Sequence, residues 1–585
     1  MRLFFSFSLP HAVLSVTLQP KETTQAPIAF DRNDMKHTPY YIYARARRIF
    51  LLASMFLIAS ALHVAAQDFE LFTQAQTSPK REMRAVWLTV LNGLDWPRTR
   101  ATNEATRQQQ QRELCQILDQ LKAVNINTVL LQTRVRGSVI YPSAIEPWDW
   151  ALTGTYGRDP GYDPLAFAIE EAHRRGMELH AWIVTIPCFK VAVARQMGAK
   201  SVLKTHPELC RKHSDTYYLD PGIPGTADYL QRICHEIVSR YDVDGIHFDY
   251  IRYPEGAASF NDAATFKKYA PKGANKSAWR RGNITRIVRA IYEDTKKLKP
   301  WVCVSSSPVG KYADVSRFSS RGWNARDAVF QDAEGWLRDG IHDMLFPMMY
   351  FDGNHFYPFA ADWQEQSAGR IVAPGLGIYF LHPNEKNWPL STIKRQLHYL
   401  RSEGLSGQAY FRSKFLTDNT KGIYDYLRDD FYAFPALPPA CSWSGNVPPT
   451  APQNLRLKET AAGHSELIWD AAGNNGESEK LRYNVYVSTE WPVDISRAEN
   501  LAATLLPEPH FAFDPVYAAL SHLYLAVTTI DRYGNESAAT QLFSEPSSSI
   551  RPFRLPLDSR GRVVDLISSP ASHTFSTISA EKVRK

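Results

Sequence analysis

Apolar residues along this chain follow two rhythms. Some form short continuous or alternating runs; others recur every three or four positions over longer stretches. From Arg84 onward the two rhythms take turns. "RAVWLTV" predicts a strand. Residues 108–123 predict an amphipathic helix, with Leu114, Ile117, Leu118 and Leu121 at helical spacing. "INTVLLQTRV" predicts the second strand, and "PLAFAIEEAHRRG" a helix closed by Gly176. "ELHAWIVTI" and "VDGIHFDYI" predict the third and fourth strands, with the helix "TADYLQRICHEIVSRYD" between them. "WVCVSSSPV", "HDMLFPMMYF", "RIVAPGLGIYF" and "GQAYFRS" complete the series, again with helical stretches between.

Eight strand–helix repeats over residues 80–435 point to a (β/α)8 TIM barrel with insertions. An open doubly wound sheet is the rival, but it needs no eighth strand and usually carries a glycine-rich phosphate loop, which this chain lacks. Residues 436–450 are rich in proline and small residues and read as a linker. The rhythm then changes. Over 447–545 short alternating runs ("SELIWD", "RYNVYVS", "LYLAVTTIDRYGNES") separated by turn residues predict an all-β immunoglobulin-like sandwich with Trp469 and Tyr483 in its core. Residues 546–585 form a basic, serine-containing tail without an assigned element.

Composition adds location. Of 585 residues, 44% are hydrophobic and 22% charged, as in a globular protein. The net charge of +7 suggests a nucleic-acid partner until it is mapped. Residues 1–66 and 546–585 each carry seven Lys or Arg against three Asp or Glu, so each holds +4 and the body between them is −1. No basic face for phosphates is indicated. Arg45, Arg47 and Arg48 precede an uncharged run from Ile49 to Leu62, and "HVAAQ" offers a small-residue cleavage point after Ala66. That is the layout of a secretory signal peptide. The run is short for a membrane span, so no transmembrane segment is expected in the mature chain. Residues 1–34 sit upstream of this leader, which makes Met35 a candidate start. Six cysteines (115, 188, 210, 234, 303, 441) form no C-x-x-C pair, so a zinc site is not indicated. In an exported protein some of them could form disulfides, and buried free thiols are an equal alternative.

In such barrels the C-terminal strand ends build the active site. Those ends supply Asn92, Asp95 and Trp96; Arg134, Arg136, Glu146 and Trp148; His180 and Trp182. They continue with His247, Asp249, Arg252 and Glu255, then Tyr350, Asp352 and Tyr379. Carboxylates among aromatic rings suit glycoside hydrolysis, in which one carboxylic acid protonates the leaving oxygen and a second carboxylate attacks or activates water. Asp249 is the leading candidate acid because it ends the fourth strand on the same side as His247. Asp352, at the end of the sixth strand, and Glu255, six residues beyond Asp249, compete for the second position, with Glu146 and Asp95 behind them. Asn92, Trp96, Arg134, Arg136, Trp148, His180, Trp182, His247, Tyr350 and Tyr379 are the expected substrate contacts. Arg134 and Arg136 could equally hold Asp249 itself. A structural role for Asp249, paired with Arg134 or Arg252, is the simpler alternative. No metal and no cofactor are expected. No G-x-S-x-G nucleophile elbow is present.

"RAVWLTVLNGLDWP", "LTGTYGRDPGYDPLAFAIEEAHRRGMELHAWI", "YLDPGIPGTADYL" and "YDVDGIHFDYIRYPEG" resemble, in this order, motifs of the glycosyl-hydrolase-like family 10 of exported bacterial proteins. The resemblance spans roughly residues 80–435. It implies a (β/α)8 barrel, a role for Asp249 as the acid, and action on peptidoglycan glycan strands stripped of peptide. There are departures. Many members read "FDDYFYP" where this chain has "FDYIRYP", so Tyr250 replaces a second aspartate. "HAWIVTIPCF" and "PMMYF" also differ from the family's "HAWFNPYR" and "PQIYW". The segment 447–545 resembles a fibronectin type III domain through "PPTAPQNL", Trp469 and "AVTTIDRYGNES".

The resulting expectation is an exported glycoside hydrolase, periplasmic, outer-membrane-associated or secreted, acting on a peptidoglycan or related amino-sugar polysaccharide. The alternatives are a non-catalytic carbohydrate-binding protein on a degenerate barrel and a metal-dependent deacetylase. Nothing in the pattern assigns an oligomeric state.

Overall fold

A computed structural model describes residues 78–459, 465–471, 481–513 and 523–542. The leader and the basic tail lie outside these residues. β1 (Met83–Leu88), β2 (Thr128–Arg134) and β3 (Glu178–Val184) are parallel and buried on both faces, which is why their sequences are nearly continuous in apolar residues. After β3 the chain makes an excursion, a small antiparallel sheet of β4 (Pro187–Lys190), β5 (Cys210–His213) and β6 (Thr216–Leu219). It returns as β7 (Gly245–Asp249), β8 (Cys303–Ser306) and β9 (Met344–Leu345). β10 (Ile371–Val372), β11 (Gly375–Leu376) and β12 (Gly407–Tyr410) finish the wall.

The hydrogen-bonded order is β10-β9-β8-β7-β3-β2-β1-β12-β11. β10 and β11 are two halves of one segment, so the parallel ladder returns to where it starts and curves into a barrel wall. The order is sequential, with the last strand beside the first, and so differs from a doubly wound sheet. Helices follow the strands. The one at Glu104–Ala123 starts on a capping box between Asn103 and Thr106 and buries Leu114, Leu118 and Leu121. The one at Pro164–Arg174 starts on the Asp163 carboxylate, with proline in its first turn.

The sixth and seventh strands are shorter than their sequences predict. Pro347 and Pro374 have no N–H to give the ladder, so pairing stops after Leu345 and splits into β10 and β11 around residues 373–374. Beyond these breaks Met348 makes isolated bridges to Val309 and Gly375.

The remaining strands are β13 (Gln453–Glu459), β14 (Ser465–Asp470), β15 (Arg482–Ser488), β16 (Leu501–Leu506), β17 (His510–Ala512), β18 (Tyr524–Ile530) and β19 (Thr540–Leu542). They form two antiparallel sheets, β13-β14-β17 and β16-β15-β18-β19. Leu455, Leu467 and Trp469 of one sheet share a core with Tyr483, Val485 and Val527 of the other. The Trp469 and Tyr483 rings meet at 5.2 Å within this core.

These sheets dock on the barrel at the end of β7 opposite Asp249. Asp244, just before β7, is the hub. Its Oδ2 accepts from Leu179 N at 2.9 Å and stands 2.7 Å from His173 Nε2. Its Oδ1 accepts from Arg482 of β15 at 2.9 Å and from Arg532 at 3.3 Å. Burial alone would raise this carboxyl, but Arg482, His173 and Arg532 hold it well below the usual carboxylate range. Gly176 permits the close approach. Its φ is +65°, and a Cβ there would lie 2.1 Å from the Thr504 carbonyl of β16.

Candidate active site

Asp249 ends β7 and is buried. Its Oδ2 accepts from the Trp182 indole N–H at 3.2 Å, and its Oδ1 from the Tyr250 backbone N–H at 2.8 Å. Its carbonyl takes both the N–H and the hydroxyl of Thr185, each at 2.9 Å, so the residue is fixed from the main chain outward. Burial raises the Asp249 carboxyl above its usual range. Arg252, the Tyr250 N–H, Trp182 and Ser307 oppose that shift without cancelling it. A carboxyl poised upward in this way can carry the proton that a general acid must deliver.

Tyr250 has a φ of +53°, a left-handed conformation uncommon for a non-glycine residue. This turn points its N–H back at Asp249 and lays its ring 4.6 Å from the Arg252 guanidinium. Arg252 is 5% exposed, and its buried Nη1 has no hydrogen-bond partner among the described residues. Trp323 stands 6.0 Å from the same guanidinium on its loop and is 47% exposed. A desolvated, unsatisfied guanidinium is costly on its own, and a polar group of a ligand would relieve that cost. Tyr350 closes another side. Its ring lies 5.5 Å from Phe411 and 5.8 Å from Tyr379. Burial and then the nearby Asp249 charge push its hydroxyl well up. Burial, with Glu385, pushes Tyr379 up to about 12. The Asp249 charge is the first cause of the upward shift of Tyr250, with Arg252, Arg136 and Glu255 also acting on that ring.

Of the expected site residues, Asp249, Trp182, Tyr350 and Tyr379 are therefore brought together, and Arg136 and Glu255 act on the same cluster. Glu255 is exposed on the loop after β7, and Asp352 is exposed two residues beyond Tyr350. Asn92 is exposed in the turn after β1, with a φ of +57°, and Trp148 is half-buried against the main core.

Six expectations need correction. Arg134 is fully buried and makes a bidentate pair with Glu146, at 2.8 and 2.7 Å, and also donates to the carbonyls of Val184 and Thr185. It therefore neither holds the Asp249 carboxylate nor reaches a ligand. Trp96 is buried and donates to the Gln110 carbonyl at 2.8 Å, so it belongs to the packing of the first helix. His247 lies inside the barrel. Trp87 Nε1 donates to its Nε2 at 3.1 Å, which leaves Nδ1 to donate to Ser305 Oγ at 3.0 Å. Burial, with His180 and His342 nearby, keeps it neutral, well below the usual imidazole value. His180 fills the space over Gly245, where a Cβ would lie 2.5 Å from the ring, and it too is fully buried. Alternation places both histidines on the inner face correctly, but inner-face residues below the strand ends pack against one another. Glu146 and Asp95 are likewise structural. Glu146 also accepts from Tyr229 at 2.8 Å, and Asp95 pairs with Arg412 and accepts from Thr89 N at 2.8 Å.

Arg252 is a site residue whose only sequence signal is its place in the β7 loop. Trp323 sits in a loop that no strand pattern marks. Among the described residues, no three His, Cys, Asp or Glu are grouped as metal ligands would be, and no helix is long and apolar enough to cross a membrane.

A barrel-type parallel sheet with a raised carboxyl, aromatic rings and an unsatisfied guanidinium at its strand ends defines a glycoside-hydrolase-like protein. The chain belongs to the family described as Glycosyl hydrolase-like 10, whose pattern matches residues 82–379. It is similar to the glycosyl hydrolase YngK of Bacillus subtilis (strain 168), with 29% identity over 495 residues, 80% of this chain and 94% of the relative. It is also similar to the glycosyl hydrolase DigH of Escherichia coli (strain K12), with 35% identity over 396 residues, 61% and 88% of the two chains. Among solved structures, the PgaB (BpsB) glycoside hydrolase domain from Bordetella bronchiseptica aligns with a TM-score of 0.41 and 15% identity, over 59% of this chain and 98% of that one.

Trp182→Phe removes one donor to the Asp249 carboxylate and keeps an aromatic ring at the position. The carboxyl should shift further upward, so in an activity–pH profile the alkaline limb should move to higher pH. An unmoved limb would detach Trp182 from the titration.

Proposed function

We propose that this protein is an exported glycoside hydrolase that cleaves peptidoglycan glycan strands, or a related amino-sugar polysaccharide. In this reading the architecture is a (β/α)8 barrel followed by a fibronectin type III-like sandwich. The leader-like segment ending at Ala66 supports export. The observation that carries the reading is the raised, buried Asp249 carboxyl at the end of β7. Asp249 protonates the glycosidic oxygen, and Glu255 acts as the second carboxylate. The choice of Glu255 over Asp352 rests on its loop and on its charge, which acts on Tyr250 beside Asp249. Tyr350, Tyr379 and Trp323 offer ring faces to the sugar, and Arg252 meets a hydroxyl or acidic substituent.

The test is digestion of peptide-free glycan strands by the full chain, read by mass spectrometry. The wild type should release soluble fragments. Glu255→Gln should lose roughly 10²-fold or more, while Asp352→Asn stays within a few-fold. The reverse order would make Asp352 the partner. Glycan binding by calorimetry without any product would replace hydrolysis with a purely binding role.

A further inference from the structure

We propose that Cys303 and Cys441 form a disulfide that ties the linker to the barrel floor. Their sulfurs are 3.0 Å apart, and both residues are buried, at 8% and 3% exposure. Among the described residues no other pair of cysteine sulfurs is in contact. The thiols of Cys115, Cys188 and Cys210 instead face Glu171 or backbone carbonyls.

Both ends are held in place. Cys303 opens β8, and its N–H donates to the Asp244 carbonyl at 3.0 Å. Cys441 donates its N–H to the Tyr533 carbonyl at 2.8 Å, on the loop after β18. Two residues on, the Trp443 indole donates to Asp343 Oδ1 at 2.8 Å and lies 4.5 Å from the Arg370 guanidinium. Cys441 is thus fixed to the C-terminal sheets through its backbone and to the barrel through its sulfur. A bond at this point joins the two halves covalently, across 138 residues of sequence.

The chemistry is thiol–disulfide exchange with a small disulfide such as oxidised glutathione. One protein thiolate attacks the reagent and expels a thiol, leaving a mixed disulfide. The second protein thiolate then displaces the other reagent half. Two protein thiols and one reagent disulfide become one protein disulfide and two reagent thiols, and the two electrons go to the reagent. Contact with Cys441 and burial push the Cys303 thiol up, so thiolate is scarce once the linker is seated.

The experiment is refolding of the full chain with oxidised and reduced glutathione, alkylation of free thiols in denaturant, and non-reducing peptide mapping. One cross-linked peptide should carry Cys303 and Cys441, with the other four cysteines alkylated. Reduction in denaturant followed by refolding under reducing conditions should lower Tm by roughly 5–10 °C, because the closed loop is long. Cys441→Ser should remove both the peptide and the redox-dependent shift. Alkylation of both residues in a chain that has refolded under oxidising conditions overturns the proposal, as does their pairing with other cysteines.

Discussion

Asp249→Asn should lower glycan cleavage by roughly 10²–10⁴-fold while the protein melts at the same temperature or higher. Asparagine keeps the size of the side chain, and its single carbonyl oxygen can still accept from one of the Trp182 and Tyr250 N–H groups, so the pocket is not emptied. What it cannot do is deliver a proton to a leaving oxygen. The stability half of the prediction follows from the sign of the pKa shift. A carboxyl whose folded value is raised binds more protons folded than unfolded, so its contribution falls as pH climbs from the ordinary 3.8 through the folded value. At neutral pH the ionised group is therefore a net burden in the fold, and neutral asparagine removes it. The same sign governs activity. An acid must be protonated to act, so the wild-type rate should decline as pH rises through the folded Asp249 value. Calorimetric melting and a pH–rate profile check both halves. A variant that keeps full activity removes Asp249 from the acid role.

Asp244→Ala should cost about 3–5 kcal/mol, because it leaves the buried Arg482 without its carboxylate and Arg532 with only its pair to Asp242. Asp244 is depressed rather than raised. Its stabilising contribution is complete at neutral pH and is lost as pH falls below the ordinary 3.8 toward the folded value. Urea unfolding at pH 7 measures the loss. Limited proteolysis reports whether the C-terminal sheets come free, with cleavage expected near the linker. Asp244 and Asp249 sit at opposite ends of the same strand, so a still-folded Asp244→Ala protein should retain its turnover. A loss of turnover without a loss of stability would link the docking hub to the site instead.

The two aspartates show how far local pattern reaches. Period-two alternation puts Val243, Gly245, His247 and Asp249 on one side of a strand, and the position of Asp249 at the strand's end marks it as the candidate acid. The same pattern makes Asp244 a structural residue at the start of the strand. It does not show that Asp244 receives arginines from residues 482 and 532, because contacts between segments so far apart leave no local signature.

The sequence by itself determined the alternation of parallel strands and helices and the side of β7 that carries Asp249. These depend on short-range periodicity and turn chemistry, which neighbouring residues decide. Only the tertiary structure decided which strand-end residues face open space. Arg134, Trp96 and His247 carry the right chemistry, yet each is turned inward and met by a partner, Glu146, the Gln110 carbonyl and Trp87 in turn, and His180 is packed over Gly245 inside the barrel. Arg252 is brought beside Asp249 by a left-handed turn at Tyr250, and Trp323 beside Arg252 by a distant loop. The physical reason is common to all of them. Whether a polar side chain is spent on packing or left at the strand ends depends on every segment packed around it.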